Sequence, residues 1–409
     1  MSTFNPERRN YLQTSLGAVA GLSAFGMARP GIVLGANATP NNRRMIVIML
    51  RGALDGLSAV VPYQEPNYYR LRPTIAIARP GEPEGVIDLD GRFGLHPGLA
   101  MLKPLWDQGS LGFVHAAGST DPTRSHFDAQ DYLESGTPGR KSTPTGWMNR
   151  LLGTLAHSSP LMQAVNVGPV MPRIFAGPGN IASLGSGDSA TRAGAIDQPV
   201  INEAFGRLYS GDDPMSQAFR EAGLSRREIM AGLEGVDSQA DNGAISLRGF
   251  AQDANRLGSL MRRDARVQLG FIAVGGWDTH VNQGSGKGQL AQKLTQLGDG
   301  LLALSKGLGE RLAETMIVVL SEFGRTVRQN GNGGTDHGHG NVIWLLGGTA
   351  NGRRVHGEWP GLDDRALHEG RDLAVSTDFR RVLADLCATH LKLSDRQLAD
   401  VFIDLPRPG

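Results

Sequence analysis

The chain has 409 residues, with 41 Lys and Arg against 40 Asp and Glu, for a formal charge of +1. That length allows one large α/β domain or two to three smaller ones. A hydrophobic share of 40% beside 20% charged residues argues against both a disordered tail and a membrane bundle. The balanced charge, with no Lys/Arg-rich run in the body of the chain, argues against nucleic acid as a partner.

In chain order, the first feature is an address. ERRNYL at 7–12 holds the adjacent pair Arg8 and Arg9. A small-residue apolar stretch then runs from Ser15 to Ala28, short of the ~20 residues that span a bilayer. Gly35-Ala36-Asn37-Ala38 offers an A-x-A cleavage point before Thr39. This is the grammar of a signal peptide, and the paired arginines point to the twin-arginine route. The expectation is export to the periplasm or beyond, with the twin-arginine translocase as a transient partner and cleavage after Ala38. Removal of residues 1–38 takes away three arginines and one glutamate, moving the formal charge from +1 to −1. No second long apolar run follows, so stable membrane insertion is not expected.

The remainder, 39–409, reads as one domain built on apolar runs. Met45–Leu50, Leu111–Ala116, Val267–Val274, Met316–Leu320 and Val342–Leu346 are β-rich and continuous, as in strands buried on both faces. Helical segments such as Gly288–Leu312 and Thr377–Leu391 alternate with them, which predicts a helix-covered, mostly parallel α/β sheet. The stretch from about 175 to 265 is Gly/Ser-rich and then polar and helical, and reads as a cap or insertion. GSGKGQ at 284–289 is no phosphate loop, since Val281 stands where its first Gly belongs and Gly288 where Ser/Thr belongs. The lone Cys387 excludes an internal disulfide and a multi-thiolate metal site, and reads as a buried apolar residue.

Chemistry gathers at the ends of these runs. Four of them are followed within about ten residues by Asp55, by Ser125 and His126, by Asp278 and His280, and by Glu322. The segment TDHGHG leading into the fifth supplies Asp336, His337 and His339, with Gly338 placed to let both rings turn one way. Loops after parallel strands meet in one crevice, so these groups are expected to converge. Carboxylates and imidazoles without Cys suit zinc, manganese or magnesium, as one or two ions. Asp55, Asp278, His280, Glu322, Asp336, His337 and His339 are therefore the candidate metal ligands. Ser125 sits at an expected helix N-terminus with Asp128 three residues on, which suits either a helix cap or a nucleophile. Arg124 and the helix N–H groups are candidates to hold an anionic substrate, and His126 to act as ligand or general acid.

RGALDGL, RSHFDAQDY, GGWDTH, SEFGRT and GTDHGHGN, together with the twin-arginine leader, resemble the exported bacterial family known as domain of unknown function 1501. The resemblance covers essentially the whole chain. It implies an alkaline phosphatase- and sulfatase-like fold, whose members cleave phosphate or sulfate esters at one or two metals. It also implies Asp55, Ser125 and Glu322 around one ion, and Asp278, His280 and His337 or His339 around another. The expected activity is metal-dependent hydrolysis of a phosphate or sulfate ester by a serine nucleophile, on a small-molecule or polysaccharide ester. The alternative is a non-catalytic envelope- or polysaccharide-associated binding protein with a structural metal.

Overall fold

A computed structural model describes residues 42–155, 163–187, 240–348, 350 and 352–405. The expected signal segment, residues 1–38, lies outside them. Twelve strands occur among the described residues: β1 (Arg44–Leu50), β2 (Val60–Val61), β3 (Ile87–Asp88), β4 (Gly94–Leu95), β5 (Leu111–Gly118), β6 (Ala164–Val167), β7 (Ile181–Leu184), β8 (Leu269–Val274), β9 (Thr315–Ser321), β10 (Asn341–Leu346), β11 (Val355–His356) and β12 (Thr377–Asp378). Nine form one sheet, ordered β11-β5-β10-β9-β1-β8-β6-β7 with β12 also on β5, while β2, β4 and β3 form a small side sheet.

The main sheet is parallel apart from β10, which runs antiparallel to both β5 and β9. β1 lies at its centre, in register with β8 on one side and β9 on the other. Its alternate residues divide between two cores, as the period of two in a strand requires. Ile46, Ile48 and Leu50 enter one, and Met45, Val47 and Met49 the other. The helices Leu247–Arg263 and Gln289–Leu308 cover the first core through Phe250, Leu257, Leu294 and Leu304. The helices Trp147–Thr154 and Phe379–Thr389 cover the second through Leu151, Leu383 and the fully buried Cys387, whose thiol pKa burial pushes up.

All five apolar runs are strands. Of the stretch from about 175 to 265, expected as a cap or insertion, the described ends are β7, part of the sheet, and Leu247–Arg263, which packs on it. Residues 188–239 of that stretch lie outside the described residues.

Candidate metal centre

β1, β5, β8 and β9 all end at one edge of the sheet, and the antiparallel β10 begins there, so GTDHGHGN arrives at the same edge from the opposite chain direction. His126 opens the helix His126–Ser135 that follows β5. Asp278 and His280 follow β8, Glu322 follows β9 directly, and His337 precedes β10.

His126, Asp278 and His337 each offer a ligand atom within 4.8 Å of the others. His126 Nε2 lies 3.0 Å from His337 Nε2 and 3.6 Å from Asp278 Oδ2, and His337 Nε2 is 3.4 Å from Asp278 Oδ1. His280 adds a fourth donor, its Nε2 at 3.1 Å from His337 Nε2 and 2.9 Å from Asp278 Oδ1.

The other ring nitrogens decide what this arrangement is for. His337 Nδ1 donates to the Arg124 carbonyl at 2.9 Å, and His126 Nδ1 to Glu322 Oε1 at 2.8 Å. His280 Nδ1 faces Asp336 Oδ1 at 3.3 Å. With each Nδ1 facing an oxygen, the Nε2 lone pairs of His126 and His337 point at one place next to the Asp278 carboxylate, and that of His280 lies against His337 and Asp278. That is repulsive unless a positive charge sits among them. Metal-ligating histidines are commonly held in this way, by an oxygen on the far ring nitrogen. A tetrahedral zinc site with bonds of about 2.0–2.1 Å has ligand-to-ligand edges of about 3.3 Å. The residues present therefore fit a divalent ion. Without one, a proton takes its place. Burial depresses the His126 pKa, but its hydrogen bonds to the Asp278 and Glu322 carboxylates outweigh that and raise the value to about 9. Burial alone would raise the Asp278 pKa, yet His126, His337 and Arg325 hold it far below the usual carboxylate range.

The surroundings fix the geometry. Gly52 in the turn after β1 has φ +106°, and a Cβ there would stand 2.8 Å from the Asp278 backbone nitrogen. Arg325, fully buried, donates to Asp278 Oδ1 at 2.6 Å and to the Ala53 carbonyl at 2.6 Å, tying the loops after β1 and β8 together. Phe323 packs against the rings of His126 and His337, at 4.9 and 5.1 Å between centroids, as a dry wall.

Several predicted residues do other work. Asp55 does not join the cluster: its carboxylate is fully buried and held by Arg72 at 2.6 and 3.0 Å, Ser58 at 2.7 Å and Gln283 at 2.7 Å. Those donors outweigh burial and keep its pKa low. Glu322 is a holder of His126 rather than a member of the cluster, accepting also from the Gly52 N–H at 2.8 Å and Gln130 at 3.1 Å. Asp336 holds His280 from the far side and accepts from Asn330 at 3.0 Å.

His339 turns away and stacks on His368 at 4.3 Å, where burial takes its pKa down to about 4. Gly338 thus does not turn both rings one way. It lets the chain pair closely with Arg325, whose carbonyl carbon would lie 2.4 Å from an added Cβ.

Arg124 is engaged by the buried Asp372 at 2.7 Å and by Glu369 at 2.6 Å. Ser125 is an exposed N-cap whose Oγ accepts from the Asp128 N–H at a long 3.4 Å. His126 has both ring nitrogens engaged, Nδ1 by Glu322 and Nε2 by His337. Of these side chains, His126, Asp278 and His337 form the one such group among the described residues.

Sequence reasoning missed Arg72, Gln283, Gln130 and Arg325. Arg325 stood in SEFGRT, directly after a buried strand and its glutamate, and Gln130 in RSHFDAQDY, while Arg72 and Gln283 stood in no motif that drew attention.

Fold and centre together define an α/β protein with a histidine–carboxylate cluster at the carboxyl edge of its parallel sheet. Residues 109–402 match the model of the family described as protein of unknown function (DUF1501), and the chain belongs to that family. No curated protein matches it. Among solved structures, it is similar to the periplasmic domain of EptC from Escherichia coli in complex with Zn, at 10% identity over 77% of this chain and 76% of that one, with a TM-score of 0.36. It is also similar to an alkaline phosphatase superfamily protein from Vibrio parahaemolyticus, at 9% identity over 78% of this chain and 63% of that one, TM-score 0.38. A third match is the lipoteichoic acid synthase LtaP from Listeria monocytogenes, at 9% identity over 82% and 75%, TM-score 0.34. Among the described residues no helix is long and apolar enough to cross a membrane.

Proposed function

We propose that this protein is a metal-dependent hydrolase of phosphate or sulfate esters, exported by the twin-arginine route. The observation that carries the reading is the convergence of three imidazole Nε2 atoms on Asp278, each ring held by an oxygen behind it. His126, Asp278, His280 and His337 would hold the ion. The ion would supply electrophilic polarisation of an anionic ester. Glu322, Asp336 and the Arg124 carbonyl orient the rings, and Phe323 excludes water from one side of them. Ser125 is the nucleophile in this reading, because its hydroxyl is exposed, weakly capped and adjacent to His126.

The test combines elemental analysis of protein exported in its native host with a panel of aryl phosphate and sulfate esters. About one divalent ion per chain is expected, with turnover abolished by His337→Ala. Ser125→Ala should abolish turnover while lowering stability by about 1 kcal/mol, as for a lost cap. Protein without metal, inert on every ester, would refute the reading; full activity of Ser125→Ala would remove the serine and leave water as the attacking group. Export is tested by changing Arg8 and Arg9 to Lys, which should retain the precursor in the cytoplasm.

A further inference from the structure

Beside the cluster opens a cleft of about 210 Å³, lined among others by Thr326, Arg328, Gln329, Asp336, Asp364 and Arg371. It shares walls with the metal centre. Asp336 faces the cleft and also holds His280, and Arg371 faces the cleft while its guanidinium donates to the His337 carbonyl. None of the roles assigned above uses this space.

Its polar groups are not equally available. Asp336 already accepts from Asn330 and faces His280, and the exposed Asp364 lies 3.6 Å from Arg70. Thr326 donates to the Arg328 carbonyl at 2.8 Å and accepts from the Asp336 N–H at 3.1 Å, while Gln329 is tied to Thr74. What remains beside the exposed Asp364 carboxylate is a pair of guanidinium groups. The exposed Arg328 guanidinium makes no hydrogen bond or ion pair among the described residues. Arg371 is 41% exposed and has one near acid, Asp372, at 3.3 Å. A guanidinium presents five donors in a planar fork that matches the oxygens of a phosphate, sulfate or carboxylate.

We infer that this cleft is an oxyanion subsite, with Arg328 and Arg371 receiving a second anionic group on the molecule whose ester lies at the cluster. The substrate class narrows accordingly to esters carrying two anionic groups, such as a multiply sulfated or phosphorylated sugar. The link to substrate rests on the hydrolase reading; the oxyanion site does not.

Two measurements separate them. In chelator-treated full chain, the affinity for inorganic sulfate is read by calorimetry for wild type, Arg328→Gln and Arg328→Lys. A charged hydrogen-bonding partner lost at a partly exposed site corresponds to roughly tenfold, so Arg328→Gln should bind sulfate about tenfold more weakly, with Arg328→Lys between. Arg328 is exposed and outside the cluster, so folding should be unaffected, as far-ultraviolet dichroism will check.

In metal-loaded protein, propane-1,3-bisphosphonate should bind at least tenfold more tightly than methylphosphonate to wild type, and the preference should vanish in Arg328→Gln. Equal sulfate affinity in wild type and Arg328→Gln would overturn the subsite altogether. Sulfate binding that depends on Arg328 without any bisphosphonate preference would overturn the substrate assignment and leave a site for a free oxyanion. If both effects appear and no ester is cleaved, the hydrolase reading fails and the cleft stands.

Discussion

Replacing Asp55 by Asn separates a structural carboxylate from a ligand. The side chain is fully buried and accepts four hydrogen bonds, two from Arg72, one from Ser58 and one from Gln283. Arg72 is itself fully buried and otherwise meets neutral groups, the carbonyls of Val327 and Thr326, the Ser58 hydroxyl and the Tyr68 ring. Asparagine keeps the shape, removes the charge and leaves the guanidinium uncompensated. Removing one partner of a buried pair costs about 3–5 kcal/mol. Against a typical total of about 5–15 kcal/mol, that is about a fifth of the stability or more.

Urea unfolding followed by tryptophan fluorescence should show the loss as a lower midpoint. Because Asp55 gives no donor to the cluster, zinc affinity measured against a competing chelator should stay within about twofold of wild type. The double variant Asp55→Asn with Arg72→Met should regain most of the stability, since an apolar replacement leaves no orphaned charge. A single variant with normal stability and zinc binding weakened a hundredfold would refute the assignment and place Asp55 at the metal.

Three further outcomes follow from the same geometry. Glu322→Gln should weaken zinc binding by about 10- to 100-fold without changing its stoichiometry, as removal of a carboxylate behind a ligating histidine does; the chelator competition reads it. Zinc at a hundredfold over its dissociation constant should stabilise wild type by about 2.7 kcal/mol, and thermal unfolding should show no such gain for His337→Ala. The low pKa of Asp55 predicts acid sensitivity. Its stabilising contribution is fully present above the unfolded value of about 4 and is lost as pH falls further, so stability from pH 4 to pH 2 should fall less steeply in Asp55→Asn than in wild type.

Patterns of local chemistry were legible in the chain itself. Short, unbroken apolar runs rich in β-branched residues read as strands covered on both faces, and each of the five is one. GGWDTH and RSHFDAQDY were read as chemistry-bearing loops, and both supply cluster side chains. Sequence could not tell a ligand from the residue that holds a ligand. Asp55, Glu322 and Asp336 are the same chemical types as Asp278, and the difference lies in which donors the folded chain brings to their oxygens. Arg72 is 17 positions from Asp55 and carries no motif, while Gln130 meets Glu322 across 192 positions.

Residue type and strand period, being local, therefore determined the layers of this protein and the edge on which its polar groups gather. The partition of that edge was decided by tertiary structure: His337 turned toward His126 and His280, His339 turned onto His368, and Asp55 closed off by Arg72. The physical reason is that a buried charge takes whichever partner the packing places within about 3 Å, and that distance is set by elements far apart in the chain.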